Sequence, residues 1–245
     1  MIEVVDLHKA FGDHQVLAGV NLSVPAGSTC VILGGSGSGK TVLMKHVIGL
    51  LKPDRGQVII DGEDIAGFGP AELERVRRKF GMVFQAAALF DSMTVYENVS
   101  FPLREHRKDL KEEEMREIVR DKLGIVGLRG VEEKFPADLS GGMRKRVGLA
   151  RAIVLDPKIV LYDEPTTGLD PITTDYVDEM ILDAKRELKV TSVVISHDVA
   201  SAFKVADNIA FLSGGVIVDQ GPPATLRRSE EPAVKLFLQT WFGKN

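Results

Sequence analysis

Gly34 to Thr41 read GGSGSGKT, the spacing G-x-x-x-x-G-K-T, set between the apolar run CVIL and the helical pattern VLMKHVIGLL. Glycines at that density let successive backbone N–H groups turn inward toward phosphate oxygens, and a helix starting there adds its positive end. Lys40 is placed to reach β- and γ-phosphates, and Thr41 to ligate Mg2+. A flexible Gly/Ser linker has a similar composition, but a linker has no reason to join a buried strand to an amphipathic helix. The stretch KIVLYDEP supplies the complementary chemistry. Asp163 closes a buried strand and can hold the water shell of a metal, and Glu164 beside it can accept a proton from an attacking water. Adjacent carboxylates after a strand are common in loops, so this pair gains its meaning from the phosphate loop.

Two further features need a reason. Leu139 to Met143, LSGGM, opens a helical pattern, so free N–H groups after Ser140 face outward with Arg144, Lys145 and Arg146 close behind, an arrangement suited to an anion. LSGG arises by chance in roughly one chain in a hundred of this length. The other feature is Gln85, a lone polar residue ending the strand-like FGMVFQ ahead of AAALFDSMTVYENV.

These groups must be held by a scaffold. Residues 2–7, 15–24 and 57–65 carry β-branched residues between turn signals and read as short antiparallel strands. CVILG, FGMVFQ, KIVLYD and TSVVISH are apolar with little alternation, as in a parallel sheet covered on both faces. NIAFLSGGVIVDQG reads as a hairpin closed at Gly214-Gly215. From Pro171, Val177, Met180, Ile181, Ala184 and Leu188 recur at helical spacing, with Asp170 as cap and Pro171 at the first position. Residues 104–123 read as a charged helical insertion with Met115, Ile118, Val119 and Leu123 as its apolar stripe.

Composition limits the rest. A chain of 245 residues can bury a sizeable core. A formal net charge of -4 provides no general basic field, so a nucleic-acid partner is not expected. Cys30 is the only cysteine, which excludes a disulfide framework and points to a buried strand residue in a reducing compartment. The N-terminus carries charges too early for a signal peptide, and TVLMKHVIGLL is too short to span a bilayer. In the tail, Val234, Phe237, Leu238, Trp241 and Phe242 fall on one helical face, which packs on its own domain or docks on a second protomer or an accessory subunit.

GGSGSGKT, LSGG and YDEP in this order identify a resemblance: the chain is similar to ATP-binding-cassette (ABC) ATPases over essentially residues 1–230. The resemblance implies an α/β P-loop NTPase fold. A RecA-like parallel sheet core would carry an N-terminal antiparallel β subdomain and a helical signature-motif subdomain at about 100–155, with 231–245 as a C-terminal tail. It implies ATP and Mg2+ as ligands. Nucleotide would be held by Phe11 stacking on adenine, by Gly34, Gly35, Ser36, Gly37, Ser38, Gly39, Lys40, Thr41 and Val42, and from the opposite protomer by Ser140, Gly141, Gly142 and Asp170. Thr41, Gln85 and Asp163 would serve the metal; Glu164, His197 and Gln85 would serve hydrolysis.

Met143 stands where many ABC ATPases have glutamine. With the flanks KTVLMKHVIGLLKPDRGQV, FQAAALFDSMTVYENVSFPLREH and DEPTTGLDPIT, it makes the chain look like the ATPases of bacterial Mla or Mce-associated lipid-transport systems. That likeness implies a homodimer on the cytoplasmic face of the inner membrane. Its partners would be an MlaE-like integral permease, a periplasmic Mce-domain lipid-binding protein and a small STAS-like accessory protein, and its work phospholipid transport between inner and outer membranes. Residues 86–95, with Leu89, Phe90, Met93 and Val95 as apolar contacts, would line the groove that receives the permease. The alternatives are the ATPase of an amino-acid or other small-solute importer and a non-transport ABC ATPase. The latter usually carries a long coiled-coil insertion or tandem cassettes, neither of which is seen here.

Overall fold

The structure, a computed structural model, describes residues 1–85 and 87–242, the last without its side chain. It divides into two compact units, Met1–Arg77 with Thr191–Asn245, and Arg78–Val190.

The first unit opens with β1 (Ile2–Phe11), β2 (His14–Val24) and β3 (Thr29–Leu33), followed by α1 (Lys40–Val47), β4 (Arg55–Ile60), β5 (Glu63–Asp64) and α2 (Pro70–Arg77). The chain then builds the second unit from β6 (Phe80–Val83), α3 (Val95–His106), α4 (Glu112–Ile125), a 3-10 turn at Pro136–Asp138, α5 (Gly141–Ile153), β7 (Ile159–Asp163) and α6 (Pro171–Leu188). It returns to the first unit with β8 (Thr191–Ser196), α7 (Val199–Val205), β9 (Asn208–Ser213), β10 (Val216–Gly221), α8 (Pro223–Leu226) and α9 (Pro232–Phe242).

In the first unit, alternation and continuity produce two kinds of sheet. Strands β2, β1, β4 and β5 form an antiparallel layer in that order, with alternate residues such as Ile2 and Val4, or Val20, Leu22 and Val24, buried. β3, by contrast, is buried at all five positions and lies parallel to both β8 and β9. Such a strand needs an unbroken apolar sequence because both faces are covered. Cys30 belongs to it: burial pushes its thiol up to about 12. β10 returns antiparallel to β9 through Gly214-Gly215, both left-handed, which is the expected hairpin. Val234 and Leu238 of α9 are buried, and Phe237 meets Phe211 of β9 edge to face at 5.1 Å. Ala86, the first residue of the stretch expected to line a permease groove, lies outside the described residues, as do the Phe242 side chain and residues 243–245.

In the second unit, β6 and β7 run parallel. The charged stretch 104–123 is not a single insertion helix but a corner between α3 and α4. The Glu114 carboxylate accepts the Lys111 N–H at 2.8 Å, and Glu112, Glu113 and Glu114 occupy the first turn of α4, where the helix dipole favours acids. Tyr96 Oη donates to Glu112 Oε1 at 2.8 Å, Arg104 pairs with the same carboxylate at 3.2 Å, and Arg116 stacks over the Tyr96 ring at 4.4 Å. Met115, Val119 and Leu123 are buried as the stripe requires, and Ile118 is half-buried.

β6 packs on α5 so closely that a Cβ on Gly81 would stand 2.2 Å from the Ala152 carbonyl oxygen. Gly81→Ala should therefore destabilise the protein by about 1–3 kcal/mol. The expected result is a lower urea midpoint with an unchanged m-value.

Candidate functional site

In the first unit the loop after β3 is shaped by its glycines. Gly37 and Gly39 have φ of +76° and +103°, which side chains rarely adopt. At Gly34 a Cβ would stand 2.4 Å from the Leu212 carbonyl oxygen, so no larger residue fits there. Lys40, only 7% exposed, donates its ammonium to the carbonyls of Gly34 and Gly35 at 2.9 and 3.0 Å. The Ser38 hydroxyl is buried and has no protein partner. A buried cation and an orphaned hydroxyl in an exposed glycine turn suit a polyanionic ligand, whose oxygens would complete both. Ser36 and Thr41 are exposed, and Val42 is half-buried. Phe11 ends β1 with its ring 49% exposed and the Lys9 ammonium 5.6 Å from its centre, so a flat apolar face is open to solvent. His197 is exposed immediately after β8.

The second unit carries the other candidates. Gln85 does not end a strand: β6 stops at Val83, and Phe84 and Gln85 are exposed in the following turn. Ala87 and Ala88 then both adopt left-handed backbone, φ +60° and +46°, and that turn cannot continue a pleated strand. Asp163 is half-buried at the end of β7. Glu164 follows at φ +49°, a conformation that is costly for a residue with a Cβ. Its Oε2 accepts from the Thr167 hydroxyl at 2.9 Å, and its carbonyl from the Thr167 N–H at 3.3 Å.

Ser140 caps α5, its hydroxyl accepting the Met143 N–H at 3.3 Å, with Ser140 and Gly141 exposed. The three bases behind it each donate to a main-chain carbonyl, Arg144 to Leu139, Lys145 to Pro165 and Arg146 to Gly127. A cavity of about 830 Å3 borders this end of α5, with Ser140, Gly142, Asp170, Tyr176 and Met180 in its wall. Asp170 caps α6 as its sequence suggests, accepting from the Ile172 and Thr173 N–H groups at 3.0 Å each and from the Thr173 hydroxyl at 2.6 Å. The Thr173 hydroxyl, followed by the backbone donors, holds the Asp170 carboxyl below its usual value.

Three residues, two of them missed in the sequence and the third, Lys145, read there only as a base behind Ser140, organise these segments. Asn98, fully buried, accepts the Phe90 N–H at 2.8 Å and donates to the carbonyls of Phe90, Met93 and Thr94. Arg151 donates to the Ala87 and Ala88 carbonyls at 2.7 and 2.8 Å. Lys145 is buried at 8% exposure. The readable signal was a polar residue at a core position of each helix. In the stretch 86–95, Val95 is fully buried at the start of α3 and offers no surface contact, whereas Phe90 is exposed, as is Phe84 just before the stretch. Among the described residues no cluster of three or more His, Cys, Asp or Glu could hold a metal by itself, and no helix is long and apolar enough to cross a membrane.

The chain belongs to the ABC transporter family: residues 17–167 match its domain. It is 49% identical over 97% of its length to the probable ribonucleotide transport ATP-binding protein mkl of Mycobacterium tuberculosis, of which it spans 66%. It is 41% identical over 98% of its length to the intermembrane phospholipid transport system ATP-binding protein MlaF of Haemophilus influenzae, covering 90% of that protein. Its fold matches that of the ATP-binding cassette MJ0796, solved as a dimer in a post-hydrolysis state with ADP and Pi. The TM-score is 0.80 at 32% identity, covering 91% of this chain and 99% of that one. The α/β architecture expected from the sequence is that of these cassettes.

Asp170→Ala removes the cap of α6. Since the carboxyl is depressed when folded, its contribution is present above the unfolded value of 3.8 and is lost as pH falls through the lower folded value. The variant should melt roughly 2–4 °C lower at neutral pH. That gap should begin to narrow in melts carried below pH 3.8 and shrink further as the pH is lowered.

Proposed function

We propose that the chain is the ATP-binding and ATP-hydrolysing subunit of an ABC transporter that drives phospholipid transport between bacterial inner and outer membranes. The observation that carries this is the glycine turn with buried Lys40 and unpartnered Ser38, in a chain similar along 98% of its length to a phospholipid-transport ATPase. Gly34 to Val42 hold the phosphates, and Phe11 offers its exposed ring to adenine. Thr41, Gln85 and Asp163 are the residues that would hold Mg2+, which when bound neutralises charge on the phosphate oxygens. Glu164 takes a proton from the attacking water as its oxygen bonds to the γ-phosphorus and the bond to the ADP oxygen breaks. His197 faces the same phosphate.

Ser140, Gly141, Gly142 and Asp170 complete the site of a second copy, so two chains close head to tail over two nucleotides. Nucleotide then acts as the joint of the dimer, and hydrolysis releases it. Such a subunit sits peripherally on the cytoplasmic face of the inner membrane. Its partners are an MlaE-like permease that receives the exposed Phe84 and Phe90, a periplasmic Mce-domain protein and a STAS-like accessory protein. The tail helix, with Trp241 41% exposed, is the surface we assign to the second protomer or accessory subunit.

A second reading has its own support. The name of the 49% identical mycobacterial relative points to a small polar solute, so a small-solute ABC transporter is the competing assignment. Purifying the chain with its native membrane partners and identifying bound molecules by mass spectrometry separates the two: phospholipid supports the first, a nucleotide cargo the second.

Glu164→Gln should give dimers stabilised by ATP in light scattering. A monomer at saturating ATP would overturn the head-to-tail assignment. In the assembled transporter, Gln85→Ala should leave ATP binding within about twofold and lower transport per ATP hydrolysed by about tenfold or more; normal transport would remove Gln85 from the coupling path.

A further inference from the structure

Lys145 lies on α5, five residues beyond the Ser140 cap, and is 8% exposed. Its Nζ donates to the carbonyl oxygen of Pro165, the residue after Glu164. Among the described residues no carboxylate pairs with this ammonium, and burial lowers its pKa. A cation buried against a neutral carbonyl is a costly choice, since a methionine of similar length would fill the space without the desolvation penalty.

What the contact reaches explains the choice. Glu164 is held at φ +49°, and a strained residue persists only where its surroundings over-determine it. Thr167 fixes the carboxylate and the carbonyl of Glu164 from one side. Lys145 fixes the next peptide from the other. The helix that supplies Lys145 runs unbroken from its Ser140 cap to Ile153, with Val147, Leu149 and Ala150 buried, so cap and lysine share one rigid element.

We propose that Lys145 is a positioning residue for hydrolysis: it ties the Glu164 carboxylate to α5, so that water activation depends on where the signature end of that helix is held. This rests on the assignment of Glu164 as the proton acceptor. An anion engaging Ser140–Gly142 would fix the helix, and Lys145 would carry that placement to Pro165. Lys145 itself bonds main chain rather than nucleotide, so it acts on turnover and not on ATP affinity.

Steady-state ATPase assays on the full chain test this, comparing Lys145→Met, Lys145→Gln, Lys145→Arg and Glu164→Gln with the unaltered protein. Lys145→Met should lower kcat about tenfold or more with KM for ATP within about twofold and no fall in melting temperature. Lys145→Gln, whose amide falls short of the carbonyl, should give the same split if the methionine variant does not fold. Lys145→Arg should restore at least about a third of the turnover. Turnover within about twofold of the unaltered chain in either neutral variant overturns the proposal, as does a loss that tracks a lower melting temperature and is not recovered by arginine. Full turnover in Glu164→Gln would instead overturn the assignment of the proton acceptor.

Discussion

Cations bonded to main-chain carbonyls organise the second unit around α5. From one 13-residue helix, Arg144 reaches Leu139, Lys145 reaches Pro165, Arg146 reaches Gly127 and Arg151 reaches Ala87 and Ala88. Burial pulls down the pKa of both Lys145 and Arg151, so two of these contacts are made at a desolvation cost. In return, segments that could not hold themselves are held. The Ala87-Ala88 pair and Glu164 are all left-handed, and an isolated chain would relax out of such conformations. Glycine completes the fit where side chains cannot: Gly148 lets α5 approach Ala87, whose Cβ would stand 3.2 Å from a Cβ placed there, and Gly81 admits the helix backbone.

The first unit solves a different problem. Its glycine loop after β3 is supported by a sheet in which β3 is buried throughout, and its irregular backbone is provided by glycines. Preorganisation there comes from the floor beneath the loop, whereas in the second unit it comes from a helix acting at a distance on several loops. A loop on a rigid floor can keep a fixed shape for its ligand. Loops hung from one helix share its displacement, which suits segments that must respond together.

Much of this was legible. The buried strands β3, β7 and β8 announced themselves as unbroken apolar runs, and GGSGSGKT, DEP and the Asp170-Pro171 helix start have local causes that sequence displays directly. The misreadings have a common origin in groups whose partners lie far along the chain. The stretch 104–123 looked like one helix because its charges conceal a second start. Only the acid triplet at Glu112–Glu114 and the pairing of Glu112 with Tyr96 mark the corner. The carbonyl partners of Lys145 and Arg146, Pro165 and Gly127, come from other segments, which their place beside the Ser140 cap does not show. Gln85 looked like a strand end because the left-handed alanines that follow carry no glycine to betray the turn, and Arg151, 64 residues beyond Ala87, is what makes them tenable. Val95 was read as a surface contact, but it begins a capped helix, with Thr94 and Glu97 satisfying each other's backbone, and turns inward.

Cys30 has a bearing on the whole chain. The only thiol sits on β3, between β8 and β9 and buried along its whole length, and burial raises its pKa to about 12. Thiolate is the species that oxidants and alkylating agents attack fastest, so burial shields Cys30 from both at neutral pH. Shifts in cellular redox state do not reach it through cysteine chemistry. Any cysteine placed on its surface would be the sole thiol open to a spectroscopic label, and the appearance of Cys30 to such a reagent would itself report that the sheet has opened.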